Sequence, residues 1–352
     1  MDLDDHKRFS HIDTENMLKH IDQLPAQLNE AYQLGMELEL PVMKPITRIV
    51  SAGMGGSAIG ADLLAAYLSD RLSVPFIVHR DYNLPAFAAG KDTFVIVSSH
   101  SGNTEEALSG FRNAIERGCQ TIVISTGGKL VEDALKADLP VWKFAHVGQP
   151  RAAVGFSFGL LLALFTRLGL IPDQSAELAK TMDVLNRLQE RIKADVPVLK
   201  NLAKRQAGQF IGRNVMIFAS GFLAPVARRW KTQFNEVAKA FAVFEVIPEA
   251  DHNTLAGICN PPQQVFQQYA MFLNSSLDHP RNQVRMAKTR EIFMLEGIAT
   301  DSFNAKGDTR LAQLWSALLF GDYVAYYTAI LYDTDPTPIP PIVALKEAMT
   351  EQ

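Results

Sequence analysis

Beyond Pro45 the chain alternates between apolar runs too short for helices and stretches with helical periodicity. Ile46–Ala52 (ITRIVSA), Pro75–His79 (PFIVH), Thr93–Ser98 (TFVIVS) and Thr121–Ser125 (TIVIS) are four such runs, and Val141–Phe144 is a weaker fifth. Runs this apolar on both faces, separated by helices, suit strands of a parallel sheet covered on each side. Right-handed crossovers then wind such strands into a doubly wound sheet, with the turns at its carboxyl edge building the site. The pattern restarts at Asn214–Ala219 (NVMIFA), with a turn at Ser220–Phe222, a helix over 223–241, a strand at Ala242–Ile247 and a loop at Pro248–Asn253. The segments IVSAGMGGSAIGADLLAAYL and VMIFASGFLAPVARRWKTQF share the order strand, small-residue turn, helix. They read as a degenerate repeat of one α/β unit.

The prediction is an α/β fold: two tandem doubly wound parallel-sheet domains with helices at both ends. Spaced apolar residues from Asp13 to Ala31 predict an N-terminal helix that Pro25 interrupts. Helices are also expected over 156–170, 175–206 and the aromatic-rich Leu311–Leu331. A stiff connector, Asp335–Pro341, then leads to a short helix, Ile342–Met349, that carries Lys346. The boundaries read as a helical segment over 1–36, a first domain over 37–195, a second over 196–334 and a C-terminal helix over 335–352. A length of 352 residues, 47% of them hydrophobic and 20% charged, supports two cores. A net charge of −4 argues against a nucleic-acid surface. Two cysteines, Cys119 and Cys259, are too few for a disulfide framework and read as reduced thiols. The polar first twenty residues do not resemble a signal peptide, and the apolar stretch Phe156–Phe165 is too short to span a membrane. A cytoplasmic protein without membrane or nucleic-acid partners is expected.

Two strand-to-helix turns carry the chemistry. In Gly53-Met54-Gly55-Gly56-Ser57-Ala58, the glycines let backbone N–H groups approach an anion at a helix start, which singles out Gly55, Gly56 and Ser57. The same residues fit the Gly-x-Gly-x-x-Ala dinucleotide fingerprint, with Asp81 as its strand-borne acid, and they also fit a plain close turn. The second turn, Ser98-Ser99-His100-Ser101-Gly102-Asn103-Thr104, offers hydroxyls at Ser99, Ser101 and Thr104 and N–H groups around Gly102, a compact cradle for phosphate oxygens. A helix cap needs only one of those hydroxyls. No Lys follows the glycine, so it is not a nucleotide P-loop.

The strand–Ser-x-Ser-Gly-Asn-Thr–helix element resembles the sugar isomerase (SIS) domain. Together with the Gly-Met-Gly-Gly-Ser turn it resembles the bifunctional phosphoglucose/phosphomannose isomerase family. The likeness runs through Asp13…Asn16-Met17, Pro150-Arg151-Ala152-Ala153, Arg229-Trp230-Lys231…Asn235-Glu236…Lys239, His252-Asn253 and Asp335-Pro336-Thr337…Leu345-Lys346. It implies two SIS-type, flavodoxin-like domains and a homodimer. It implies no metal or other cofactor, and interconversion of glucose 6-phosphate, and of mannose 6-phosphate, with fructose 6-phosphate through a cis-enediol.

That reaction needs a ring-opening acid or base, a base that carries a proton between neighbouring carbons, and a cation for the enediolate. By the resemblance Glu236 is the base; without it, an exposed helix glutamate is the plain reading. His252 resembles the ring-opening histidine, reaching the site from the neighbouring subunit; a surface histidine is its rival reading. Arg151 would balance the enediolate, or merely bridge to the C-terminal segment. Lys346 matches the C-terminal lysine of the family and would arrive on a helix folding over the site as a lid; otherwise it is a solvated chain-end lysine. His100 departs from the aromatic often found there, and is expected to shape the turn without a catalytic role. No His, Cys, Asp or Glu cluster has metal-ligand spacing. The alternatives are a non-catalytic sugar-phosphate regulator, an isomerase of another phosphosugar, a glucosamine 6-phosphate-forming enzyme lacking its ammonia-supplying domain, and a nicotinamide dehydrogenase. Sugar selectivity is not legible around Thr337 and Ile339.

Overall fold

Parallel strand pairing organises the chain twice over. A computed structural model describes residues 2–350 and divides the chain into two units. One, the first-sheet unit, comprises Gln23–Asp183 with Asp308–Leu314. The other, the second-sheet unit, comprises the residues up to Asp22, Val184–Gly307 and the residues from Trp315 onward.

The chain opens with α1 (His6–Ile12) and α2 (Met17–Asp22), both of the second-sheet unit, and then α3 (Leu24–Glu37) of the first. One helix was expected here, and the breaks have local causes. The Asp13 carboxylate accepts from the N–H groups of Met17 (2.7 Å) and Leu18 (2.9 Å) and so starts α2, while Asn16 turns the chain at φ 57°. Pro25 lies in the first turn of α3, where its missing N–H costs nothing, and therefore does not interrupt that helix.

The first sheet follows as β1 (Arg48–Ala52), α4 (Gly55–Tyr67), β2 (Phe76–His79), β3 (Thr93–Ser99), α5 (Glu105–Glu116), β4 (Gln120–Ser125), α6 (Gly128–Lys136) and β5 (Val141–Lys143). All strand pairs are parallel, in the order β2-β1-β3-β4-β5. Every residue of β3 is buried, as a central strand covered on both faces must be. On one face α5 buries Ala107, Leu108, Phe111 and Ala114 against Val50, Val95, Val97 and Val123, each large side chain stabilising the core by about 1.5–3 kcal/mol. A 3-10 turn, Pro150–Ala153, then leads into α7 (Val154–Arg167), whose residues are buried from Val154 to Phe165. Helix α3 packs so closely on α7 that a Cβ at Gly35 would lie 2.6 Å from that of Ala163.

The helix expected over 175–206 is two, α8 (Ser175–Ile192) and α9 (Leu202–Phe210). Pro197 lies in the break, and Asn201 caps α9 by accepting from the Lys204 N–H. Next come β6 (Asn214–Ser220), α10 (Ala224–Glu236), β7 (Ala242–Ile247), α11 (Pro262–Val265), β8 (Gln268–Asn274), α12 (Pro280–Leu295) and β9 (Ala299–Asn304). These strands form a second parallel sheet in the order β7-β6-β8-β9. The two sheets place β1 and β6 alike, each with its next strand on one side and the one after on the other, as the internal repeat requires. Strands β8 and β9 were not foreseen from the sequence.

The chain closes with α13 (Arg310–Leu331) and α14 (Pro340–Thr350). By length and composition α13 could cross a membrane, which the Phe156–Phe165 stretch could not, yet 94% of its apolar window is buried within the protein, as in a core helix.

Candidate active site

Strands β1 and β3 are neighbours in register, Ala52 opposite Val97, and the chain leaves them on opposite sides of the sheet. Their outgoing turns therefore stand together at the topological switch point, where doubly wound sheets bind ligands. The first turn lies hard against the end of β3: a Cβ on Gly53 would sit 2.6 Å from the Ser98 carbonyl oxygen, so only glycine fits. A direct hydrogen bond joins the turns, the His100 N–H donating to Ser57 Oγ at 2.9 Å. Its acceptor role there leaves the Ser57 hydroxyl hydrogen for another partner.

Within the second turn Ser99 is a brace. Its hydroxyl accepts from the Gly102 N–H (3.1 Å) and donates to Thr104 Oγ1 (3.0 Å), and the residue is only 1% exposed. Ser101 is exposed and Thr104 half-buried, so these two hydroxyls are the ones in reach of a ligand. A third turn, at Gly127-Gly128 where the fourth predicted strand ends, backs the second, a contact that the sequence does not reveal. The Leu130 N–H donates to the Gly102 carbonyl (2.9 Å) and the Lys129 N–H to Asn103 Oδ1 (3.0 Å). A Cβ on Gly102, at φ 68°, would fall 1.8 Å from the Gly127 carbonyl oxygen.

Neither α4 nor α5 is capped by a side chain, although Thr104 holds the cap position of α5. The plain capping reading of the second turn thus loses its support. In the first turn of α4 the Ser57 N–H donates to the Met54 carbonyl at 3.0 Å, which leaves those of Gly55 and Gly56, with the first N–H groups of α5, for water or an anion. The Pro150–Ala153 turn completes the arrangement, because a Cβ on Gly56 would lie 2.5 Å from the Pro150 carbonyl oxygen and 2.9 Å from the Arg151 nitrogen. Ser157 Oγ donates to the Gly56 carbonyl at 3.2 Å. Arg151 thereby starts from the floor of the first turn, its side chain buried.

His100 has a neighbour that the sequence did not reveal. Its Nε2 lies 2.9 Å from Nδ1 of His146, and its ring packs edge-on against Phe144, itself stacked on Phe156 at 4.9 Å. Burial pushes the His100 imidazole below its ordinary pKa.

The remaining residues named from the sequence belong to the second-sheet unit. Glu236 is the last residue of α10 and half-buried, and its carbonyl accepts from Lys239 Nζ at 2.7 Å. His252 ends a 3-10 turn, Glu249–His252, and is exposed. Lys346 lies on α14 and is exposed. Other residues of the same motifs hold structure. Arg229 donates to both carboxylate oxygens of Asp322 on α13 (3.1 and 2.7 Å), and Trp230 Nε1 donates to the Ala317 carbonyl at 2.9 Å. These bonds fix the helix that carries Glu236. Among the described residues no group of three His, Cys, Asp or Glu is placed to hold a metal ion.

A family model described as the bacterial phospho-glucose isomerase C-terminal SIS domain matches residues 199–349. A bifunctional phosphoglucose/phosphomannose isomerase of Caldicellulosiruptor bescii is 40% identical over 337 residues, 95% of this chain and 99% of that protein. One of Aquifex aeolicus is 32% identical, covering 87% of this chain and 92% of its own length. Among solved structures, the C-terminal domain of glucosamine-fructose-6-phosphate aminotransferase from Francisella tularensis superposes with a TM-score of 0.70, covering 96% of this chain and 100% of that one; at 14% identity it speaks for the fold alone.

Proposed function

We propose, for a chain that belongs to the bifunctional phosphoglucose/phosphomannose isomerase family, that it interconverts fructose 6-phosphate with glucose 6-phosphate and with mannose 6-phosphate. The observation that carries the phosphate half of this reading is the His100 N–H to Ser57 Oγ bond, which makes two uncapped helix starts a single anion cradle. In this reading Ser57, Ser101 and Thr104 donate hydroxyl hydrogens to the phosphate. The N–H groups of Gly55 and Gly56 add theirs, and Ser99 holds the second turn in shape.

Glu236 takes the proton from C2 of the open-chain aldose and returns it at C1, while the hydroxyl proton passes in the same sense, from O2 to O1, through the cis-enediol. Its half-buried place at a helix end is compatible with that work. Arg151 balances the enediolate oxygen with a charge that is never given up. His252 and Lys346 open the ring. The exposure of His252 in the single chain supports its service to a second subunit, and with it a homodimer. Free thiols at Cys119 and Cys259 support a reducing, cytoplasmic setting.

The test is a coupled assay with fructose 6-phosphate that measures glucose 6-phosphate and mannose 6-phosphate separately. Wild-type protein should form both. Glu236→Gln should keep its affinity for fructose 6-phosphate and lose turnover by roughly 10²–10⁴-fold, the usual worth of a general base. Near-normal turnover in that variant would remove Glu236 from the mechanism.

A further inference from the structure

The second sheet has its own switch point, between β6 and β8, and a cavity of about 650 Å³ opens there at the carboxyl edge. Its volume lies in the range of small-molecule sites. Nothing in the proposed isomerisation uses it. The chemistry of this crevice differs from that of the first sheet in one decisive respect. The turn after β8 carries Asp278, whose carboxylate accepts from the Ser220 hydroxyl at the end of β6 and from the His279 N–H at 2.7 Å. Gly221 lets it in, since a Cβ there would lie 2.5 Å from Asp278 Oδ1. The carboxylate thus joins the two turns where, in the first sheet, a serine and a backbone N–H do so. A fixed negative charge at that point repels a phosphate, at about 4 kcal/mol for unit charges 4 Å apart near a protein surface.

The rest of the lining suits hydroxyl groups. Asn274 and Asn304 offer amides that donate and accept, as a vicinal diol does; Gln283, whose Nε2 donates to the Asp278 carbonyl at 2.9 Å, offers its amide oxygen, and Ser276 adds a hydroxyl. Asn274 and Asn304 are held face to face, Nδ2 of the first 3.1 Å from Oδ1 of the second. The floor is apolar, with Phe272 and Met286 both buried. Of the two further charges, Glu291 pairs with Lys288 at 2.7 Å, while Arg290 donates to the neutral hydroxyls of Thr300 and Ser302, which leave its positive charge in the lining. An apolar floor under a rim of amides and hydroxyls, with Asp278, Arg290 and Glu291 as its charged groups, matches the C–H face and hydroxyl edge of an unphosphorylated sugar. We propose that the crevice at the β6–β8 switch point binds a neutral polyhydroxylated ligand, of mono- or disaccharide size, in preference to a sugar phosphate.

The test reads binding directly, so it does not depend on the isomerase reading. Saturation-transfer NMR and calorimetry are run with D-glucose, sucrose and fructose 6-phosphate on full-length wild-type protein. They are repeated on Ser101→Ala/Thr104→Val, in which the phosphate cradle of the first sheet is weakened. Expected is saturable binding of glucose or sucrose that survives in the double variant, where fructose 6-phosphate binds at least tenfold more weakly than glucose. Ala287→Trp, an exposed position that fills the crevice, and Asn304→Ala should each weaken sugar binding at least tenfold. The absence of saturable binding by either sugar in wild-type protein would overturn the proposal. So would sugar binding unaffected by both crevice substitutions, its loss in Ser101→Ala/Thr104→Val, or preference for fructose 6-phosphate in that double variant.

Discussion

His100 divides its work between backbone and ring. The N–H ties the two turns together, while the ring leaves the cradle to meet His146 and Phe144. Burial holds the imidazole below its ordinary pKa, so it should be neutral at pH 7 and titrate below 6.5 when its ring protons are followed by NMR. The linkage has a definite sign. A histidine that is harder to protonate when folded contributes stability above pH 6.5, and this is lost as pH falls through its folded pKa. His100→Phe should therefore flatten the decline of Tm below pH 6.5, and an unchanged slope would show that the pair carries no such linkage. His20, also lowered by burial, leaves a residual slope of the same sign. At the neighbouring hydroxyls, Ser101→Ala or Thr104→Val should raise KM for fructose 6-phosphate about ten- to a hundredfold with little change in kcat, since a hydrogen bond to a charged group is worth about 1.5–3 kcal/mol. A matching fall in kcat would mean that these hydroxyls act on the transition state. The turn residues themselves were legible because glycine and hydroxyl side chains at a strand end admit few uses. His146 was not, because a contact between residues 100 and 146 leaves no mark on local spacing.

At the scale of elements, the family-like stretch 229–239 separates into residues that hold α10 and one proposed to react. Asp322 and Arg229 are each about 1% exposed. Burial pushes the Asp322 carboxyl up while Arg229 draws it back. Asp322→Ala would leave a buried guanidinium without its carboxylate, at a cost of about 3–5 kcal/mol in urea unfolding. Gly321→Ala should cost about 1–3 kcal/mol by overpacking, because its Cβ would fall 2.1 Å from Trp230 Nε1. Wild-type stability in both variants would detach α10 from α13. Strand legibility followed the same physics. Apolar runs such as β3 announced themselves, and even β8 is a buried run (QYAMFLN) that could have been found. Strand β9 (ATDSFN) could not, since Thr300, Asp301 and Ser302 break any apolar pattern and its place comes from pairing with β8.

At the scale of the whole molecule, neither unit is a continuous stretch of chain. Pattern reading works along the sequence, so it cannot tell which sheet a terminal helix joins. Residues up to Asp22 cluster with the second sheet, and specific bonds account for it. Asp4 accepts from Nζ of Lys204, whose side chain is fully buried and whose remaining acceptor is the Ala194 carbonyl at 2.7 Å. Phe9 packs edge-on against Tyr326, and Asp22 accepts from the Tyr323 hydroxyl and, through its carbonyl, from Gln189. Removing residues 1–22 would take all of these at once, uncovering the face that the buried Phe9 closes and the Lys204 side chain with it. Loss of a buried Phe side chain alone is worth about 3–5 kcal/mol, which corresponds to amide exchange faster by at least on the order of a hundredfold. Hydrogen exchange read by mass spectrometry should show this in β6 and β8, while β1 and β3 keep their protection, because they draw nothing from those residues. Loss concentrated in β1 and β3 would mean that the N-terminal helices stabilise the sheet that bears the phosphate turns, and that residues up to Asp22 belong with the first sheet instead of the second.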